Sequence, residues 1–537
     1  MRAVRPLLLL LPLVLAALVY APLFDGFWLG DDGANLHRTY ALAQQHRLWS
    51  QTAQFFVSAV PSGGAFYRPL VMATYALNFV ITDAHYAGWL AMNLAVHIAN
   101  VGLVVAVVLR LGKRLGCDAR AAAIVAALVF GLAPIPAEAV YWISARSDGW
   151  IVLISLLAVY VWASDRSAAS TVFALPALLV LALGFKESAA VLPLQMALVA
   201  WAWPSPRRSQ LVAIAATFAI VAAWFFLRAH LFGSLWHVYA PPGGDENATL
   251  WTLDQGLRSI PAWWNAQAAP HAGIAALYAI VLGTAVLAAF ACARGPRARL
   301  AAALVAASAG LLLATLLNIG LHASGEGGRN FYAPFAWLAL ALGVALARPQ
   351  RETGEPARRV ALSALMAAAL LGAITLDLKI DTVLAAQQHV RAFAAALDTW
   401  ATSHPGLTMI IVPEMDGPVV TLRNAQAALA LPPIQQRPLL HRTLPTLPRE
   451  IAMRYEQFSR GLATRLETMA PGYIDTSVLA ALAQSDTVRW PPIACWSAAQ
   501  QRLVALPQSD PADARGWSEA VLASARACLT PDAAGAR

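Results

Sequence analysis

Two carboxylates stand side by side at Asp31 and Asp32, inside FDGFWLGDDGANL, a few residues past the first long apolar run of the chain. Other charged side chains interrupt the apolar sequence just as sparsely: Arg68 in YRPL, Glu138 after PIPA, Arg146 and Asp148 in SARSDG, Lys186 and Glu187 in GFKES, and Glu326 and Arg329 in GEGGRN. A carboxylate can take a proton from a hydroxyl, and an arginine fork can hold two oxygens of one phosphate. Each of these groups also has a plainer reading. Asp32 can cap a helix that starts near Gly33 or Ala34. Arg146 can pair with Asp148, and Lys186 with Glu187 or Glu138; Arg and Lys side chains near lipid can also snorkel to the headgroups. Glu138 can be a loop carboxylate at headgroup level. If Asp31 and Asp32 ionise together, a nearby cation is needed to limit their repulsion, and Arg68 is the candidate.

The elements that must position these groups are membrane helices. Of 537 residues, 59% are hydrophobic and 12% charged, about half the charged fraction of a soluble protein. A segment of about 17 to 25 apolar residues crosses the hydrocarbon core, and its backbone must be helical there. Eleven such segments are expected, near 6–23, 88–110, 121–137, 149–164, 170–185, 188–203, 210–228, 272–292, 299–318, 331–347 and 359–376. The opening MRAVRPLLLLLPLVLAALVYAP has the parts of a signal peptide, with the small residue Ala21 as a cleavage site, but its apolar run is long and Pro22 directly follows Ala21. It reads as a retained first span.

The net charge of +9 does not indicate nucleic acid, because the basic residues sit in every second connection: Lys113, Arg114 and Arg120; Arg166; Arg207 and Arg208; Arg294, Arg297 and Arg299; Arg348, Arg351, Arg358 and Arg359. The positive-inside rule then sets the N-terminus in the cytoplasm. PLVMATYALNFVIT, residues 69–82, is too short to cross and reads as an interfacial or re-entrant helix within a first external loop, 24–87. This parity puts all the charged groups of the opening paragraph on the external face. Inside the spans the clearest polar group is His97, with Asn93 and Asn100 on one helical face, which reads as interhelical hydrogen bonding. Trp236, Tyr239, Trp251, Trp263 and Trp264 read as an aromatic belt.

Past residue 377 the apolar density falls and an external domain, 377–537, begins. Ala386, Val390, Phe393, Leu397 and Trp400 recur at helical spacing, HPG at 404–406 stops that helix, and LTMIIV at 407–412 and PVVTL read as strands of a small α/β domain. Of the four cysteines, Cys495 and Cys528 fall in this domain and Cys117 and Cys292 at the cytoplasmic side. Only the first pair meets an oxidising compartment, so a Cys495–Cys528 disulfide is expected, with two buried free thiols as the alternative. No metal-ligand spacing occurs.

Four blocks, GDDGANLHRT, FYRPLVMATYALNFVITDAHYAGWLAMNLAVHIANV, PIPAEAVYWISARSDG and GFKESAAVLPLQMAL, together with EGGRNFYAPF, resemble in order the GT-C glycosyltransferases. The branch they resemble most is that of the protein O-mannosyltransferases of the transmembrane-and-tetratricopeptide type and their bacterial relatives. The resemblance spans roughly residues 24–345, and no 34-residue helical repeat follows it. It implies a GT-C-like bundle, here of about eleven transmembrane helices; the small C-terminal α/β periplasmic domain departs from that pattern, and the Ala-rich composition points to a bacterial inner membrane. It also implies transfer of a hexose, such as mannose, from a polyprenyl-phosphate donor to a hydroxyl of a protein or envelope glycan, with inversion. The implied roles are a base at Asp31 or Asp32, donor phosphate binding at Arg329, Arg146 and Lys186, and substrate binding at Glu138, Arg68 and Tyr332. No obligatory cofactor or metal is implied. The partners are the lipid-linked donor, the acceptor and the bilayer, without nucleic acid. A lipid-linked sugar flippase and a non-catalytic scaffold are the competing classes; the near absence of charge within the spans argues against a polar translocation path.

Overall fold

The computed structural model describes residues 6–58, 66–164, 167–233, 271–318, 327–349 and 355–404, most positions from 257 to 268, and mainly strand segments between 408 and 505. Among the described residues eight helical stretches are long and apolar enough to cross a membrane, and a bent pair makes a ninth. This is a multi-pass membrane protein. The first stretch, Leu7–Asp25, contains helix α1 (Leu11–Tyr20). Three shorter helices follow: α2 (Asp32–Gln44), α3 (Leu48–Gln54) and α4 (Pro69–Thr82), the last over the interval expected from sequence. Then come α5 (Tyr86–Arg114), α6 (Arg120–Gly131), the single turn α7 (Glu138–Tyr141), α8 (Arg146–Trp162), α9 (Ala168–Phe185), α10 (Leu192–Ala202) and α11 (Arg208–Phe232). The bundle closes with α12 (Ala272–Ala291), α13 (Gly295–Asn318), α14 (Tyr332–Ala345) and α15 (Glu355–Ser403).

The structure differs from the eleven expected spans in three places. The segment 121–137 is not one straight helix: it bends by 62° between Gly131 and Ile135, where Pro134 and Pro136 remove amide donors and clash with the preceding turn. The segments 188–203 and 331–347 form shorter helices, Glu187–Ala202 and the 14-residue α14. The expected end of a span at 376 is absent: α15 runs 49 residues, about 74 Å at 1.5 Å per residue. That is roughly two and a half times what the hydrocarbon needs, so the last apolar segment and the amphipathic helix predicted after it are one rod. A domain boundary at 377 therefore falls inside a helix.

Packing orders the two ends of the bundle. Interior faces are small and close, as where Val101, Val104 and Val108 of α5 are wholly buried with Trp162 and Trp337. At one end the basic connections cap helix C-termini. Arg110 and Arg114 donate to the Ala163 carbonyl, Arg297 to Ala345 and Ala347, and Arg358 to Leu346, where cations meet unpaired carbonyls and the negative helix dipole. Short strands β1 (Cys117–Asp118) and β2 (Arg348–Pro349) pair antiparallel at this end. The other ends of α5 and α8 hold the acidic and mixed-charge groups.

The C-terminal unit is a mixed sheet whose centre is β3 (Thr408–Pro413), parallel both to β6 (His441–Pro448) and to β9 (Ile493–Ser497). Antiparallel partners extend it: β10 (Arg502–Ala505) on β9, β8 (Gly472–Asp475) on β6, and β7 (Leu466–Thr468) on β8. A small hairpin of β4 (Met415–Asp416) and β5 (Val419–Val420) lies apart. The end of α15 packs here, with the predicted stripe from Ala386 to Trp400 buried, Phe393 edge-on to Trp496, and the Trp400 indole donating to Thr408 Oγ1. Arg166, Arg351, Glu326, Trp236, Tyr239, Trp251 and Cys528 lie outside the described residues, and with Cys528 the expected disulfide partner of Cys495. Cys117 and Cys292 are free thiols.

Candidate active site

The acidic pair sits where the chain leaves α1 and starts α2. Gly30 takes a left-handed φ of +48°, and a Cβ there would lie 3.3 Å from the Trp142 ring, so only glycine turns the chain against that indole without strain. Asp31 occupies the N-cap position of α2, half-buried, and its side chain makes no capping bond. Asp32 is the first helical residue and does not cap the helix either. Its carboxylate turns back: Oδ2 accepts from the Leu29 amide at 3.2 Å, and Oδ1 from the Ser144 amide at 2.8 Å and the Ser144 hydroxyl at 2.6 Å. Asp32 is 1% exposed. Burial pushes its carboxyl up to about 7, against the Ser144 and Leu29 hydrogen bonds, which lower it.

Residues 142–148 join this pair to the cations. Trp142 donates its indole N–H to the Leu29 carbonyl, and its ring carries the Arg329 guanidinium 4.4 Å above it. Two residues past Ser144, Arg146 is 1% exposed and donates to Asn78 Oδ1 at 2.7 Å and Thr74 Oγ1 at 3.4 Å. Its guanidinium lies 4.5 Å from the Tyr75 ring and 5.5 Å from the Trp89 ring, and its Nη2 has no hydrogen-bond partner among the described residues. The pairing of Arg146 with Asp148 that sequence allows does not occur. Asp148 instead takes Lys186, at 2.5 Å. Burial lowers the Lys186 ammonium from its usual range and Asp148 opposes that shift; Arg68 and Arg329 add to the lowering, so the three cations share one field.

Glu138 is held by the helix break. Its Oε2 accepts from the Gly327 and Gly328 amides at 3.0 and 2.8 Å, and its Oε1 pairs with Arg329. Gly327 is left-handed, at φ +105°, and a Cβ on Gly328 would lie 2.4 Å from the Ile135 carbonyl, so the GG of GEGGRN is what lets backbone amides reach this carboxylate.

Two expected site residues stand elsewhere. Arg68 does not balance the acidic pair: its Nε and Nη2 both hold Glu187, at 3.1 and 2.9 Å, while the Tyr67 amide binds the other Glu187 oxygen and Arg228 approaches to 3.7 Å. Glu187 thus draws two cations, Arg68 from the segment before α4 and Arg228 from α11, because Lys186 has turned to Asp148. Tyr332 is 1% exposed inside the bundle, its hydroxyl bonded to His97 Nδ1 at 2.8 Å and receiving Asn100 at 3.1 Å. The interhelical reading of His97 and Asn100 holds, and it takes Tyr332 with it. Ser144, Asn35 and Trp142 were not singled out by sequence; Ser144, the first residue of SARSDG, is an uncharged residue with no distinguishing signal. Among the described residues no three His, Cys, Asp or Glu side chains converge on a metal position.

No family model and no curated protein matches the chain. Among solved structures it is similar to the arabinofuranosyltransferase AftD from Mycobacteria, at 17% identity and a TM-score of 0.42 over 82% of this chain and 32% of that one. It is also similar to ArnT from Cupriavidus metallidurans, solved bound to undecaprenyl phosphate, at 12% identity and a TM-score of 0.45, over 81% of this chain and 85% of that one. The chain spans about a third of the AftD length.

The C-terminal unit reaches the same place. The Gly30 amide donates to the Thr421 carbonyl at 2.9 Å, His37 Nδ1 bonds the Pro432 carbonyl at 2.6 Å, and Arg391 on α15 holds the Asp25 and Gly26 carbonyls. Between these contacts lies a cleft of about 390 Å³ lined by Phe27, Leu36, Arg391, Asp398 and Pro433. Leu36 is one helical turn from Asp32 on the same side of α2.

Proposed function

We propose that the protein is a GT-C-type glycosyltransferase that moves a hexosyl group from a polyprenyl-phosphate donor to an acceptor hydroxyl at the external face of a bacterial inner membrane. The single observation that carries this reading is the 142–148 segment. It binds Asp32 through Ser144 and, two residues on, buries Arg146 with an unbonded Nη2. The neighbour of the proposed proton acceptor and an anion-seeking cation are thereby tied to one short stretch, and displacement of a phosphate from a sugar requires an acceptor and a cation held together.

Asp31 is the base. It is the more accessible of the pair, and a general base must touch the hydroxyl it deprotonates. The acceptor oxygen attacks the anomeric carbon and its proton passes to the Asp31 carboxylate, while the bond from that carbon to the phosphate oxygen breaks with its electron pair on the phosphate. The donor phosphodiester carries one negative charge and the departing monoester about two, so cations that gain more from the second state favour the transition state. Lys186 and Arg329 pair with Asp148 and Glu138, and Arg68 and Arg228 with Glu187, whereas Arg146 holds neutral side chains and keeps Nη2 for that phosphate. Arg146 makes the direct contact, with Lys186 and Arg329 beside it. Glu138 orients the Arg329 guanidinium. The acceptor enters through the cleft between α2, α15 and the C-terminal unit.

Purified protein in proteoliposomes, supplied with polyprenyl-phosphate-linked hexoses and an envelope extract as acceptor, tests the reading. Release of polyprenyl phosphate with covalent labelling of acceptor supports it. Passage of intact lipid-linked sugar across the bilayer without release overturns it in favour of a flippase.

A further inference from the structure

The geometry points to a positioning relay, from the Asn35 amide through the Ser144 hydroxyl to Asp32 Oδ1, that holds Asp31 in register with Arg146. This inference rests on the glycosyltransferase reading and extends it to residues that reading does not use. Asn35 Nδ2 donates to Ser144 Oγ at 3.0 Å, so the single Ser144 proton is left to point at Asp32 Oδ1, 2.6 Å away. The Ser144 amide reaches the same oxygen at 2.8 Å. Asn35 also belongs to the first turn after Asp31, whose carbonyl accepts the Asn35 amide at 3.0 Å. The relay is therefore closed on itself: helix α2 grips the 142–148 segment by Asn35 and by Asp32, and Asp31 is tied to both, as the chain neighbour of Asp32 and through its carbonyl to the Asn35 amide.

Both Ser144 bonds require Asp32 Oδ1 as an acceptor, and the Leu29 amide requires the same of Oδ2. An ionised Asp32 satisfies all three donors, whereas a protonated one must present a hydrogen to one of them and loosen the grip. Charged or titratable groups near Asp32 come from each neighbouring element: Asp31 on its own helix, Tyr75 from α4, Tyr86 from α5 and Arg146 from α8. Arg146 favours the ionised form and Asp31 disfavours it. With the Asp32 carboxyl at about 7, the relay assembles as pH rises through neutrality, so transfer should show an acid limb there although Asp32 does not touch substrate.

The test is the pH–rate profile of transfer in wild type, Ser144→Ala, Ser144→Thr and Asn35→Ala, beside infrared titration of the buried carboxyl stretch in the same samples. Ser144→Ala removes a hydrogen bond to the ionised form, so the acid limb and the carboxyl titration should both move up by about one pH unit. The plateau kcat should fall about tenfold with little change in KM. Asn35→Ala should move both in the same direction by less, and Ser144→Thr should restore the wild-type values. An unchanged limb in active Ser144→Ala overturns the relay and leaves the transferase reading standing. A carboxyl titration that moves in a protein with no transfer at any pH supports the relay and counts against the transferase reading.

Discussion

Burying a guanidinium costs free energy unless its donors are met, and Arg146 leaves Nη2 unmet while spending its other nitrogens on neutral partners, Asn78, Thr74 and the Ile143 carbonyl. Two aromatic faces supply part of the compensation; a phosphate oxygen would supply the rest. Arg146→Lys keeps the charge but loses the fork, and should raise the donor KM about tenfold or more, the worth of one charged hydrogen bond, in steady-state assays at saturating acceptor. An unchanged donor KM removes Arg146 from phosphate binding. Asp32 shows the opposite kind of tuning. Its carboxyl is raised by burial, so its contribution to stability is fully present below the ordinary carboxylate range and is lost as pH rises through about 7. Transfer and stability should thus respond to pH in opposite senses around neutrality: the form that the site needs is the form that folding disfavours.

At the level of elements, the broken helix and the long one matter most. The Pro134 and Pro136 break delivers Glu138 to the GG turn, and the turn fits only without side chains. Gly328→Ala places a methyl against the Ile135 carbonyl and should cost about 1–3 kcal/mol, the usual price of overpacking a closed site, read as a lower melting temperature in detergent with transfer reduced as Arg329 loses its partner. Wild-type stability and activity would show that the turn can give way. The acidic pair, the charged blocks, the 69–82 helix and the stripe on α15 were legible in the sequence because each is a run or a spacing. The partners were not. Lys186 passes over its neighbour Glu187 for Asp148, and Arg68 crosses to Glu187 from another loop, choices set by which helix ends meet in space. The 49-residue length of α15 was hidden for a related reason: charged residues from Asp377 to Asp381 look like a boundary, yet they do not break a helix.

For the whole molecule, α15 is the strut that carries the C-terminal sheet back over the start of α2. Arg391 grips the chain ahead of Asp31, and the Thr421 and Pro432 carbonyls hold Gly30 and His37. The site is therefore assembled from the chain between α1 and α5, the helix breaks and the C-terminal unit together, with the helix-capping arginines at the far end of α5 and α8. Its central claim is that the acidic pair supplies the base, with the work divided. The most direct measurement is the rate of polyprenyl phosphate release by wild type, Asp31→Asn and Asp32→Asn, each checked for membrane insertion and melting temperature. Asp31→Asn should abolish release. Asp32→Asn, whose amide oxygen can still accept from Ser144, should retain a reduced rate that no longer falls as pH drops through 7. Full activity in both variants would contradict the account, and loss in Asp32→Asn with activity kept in Asp31→Asn would reverse the two roles.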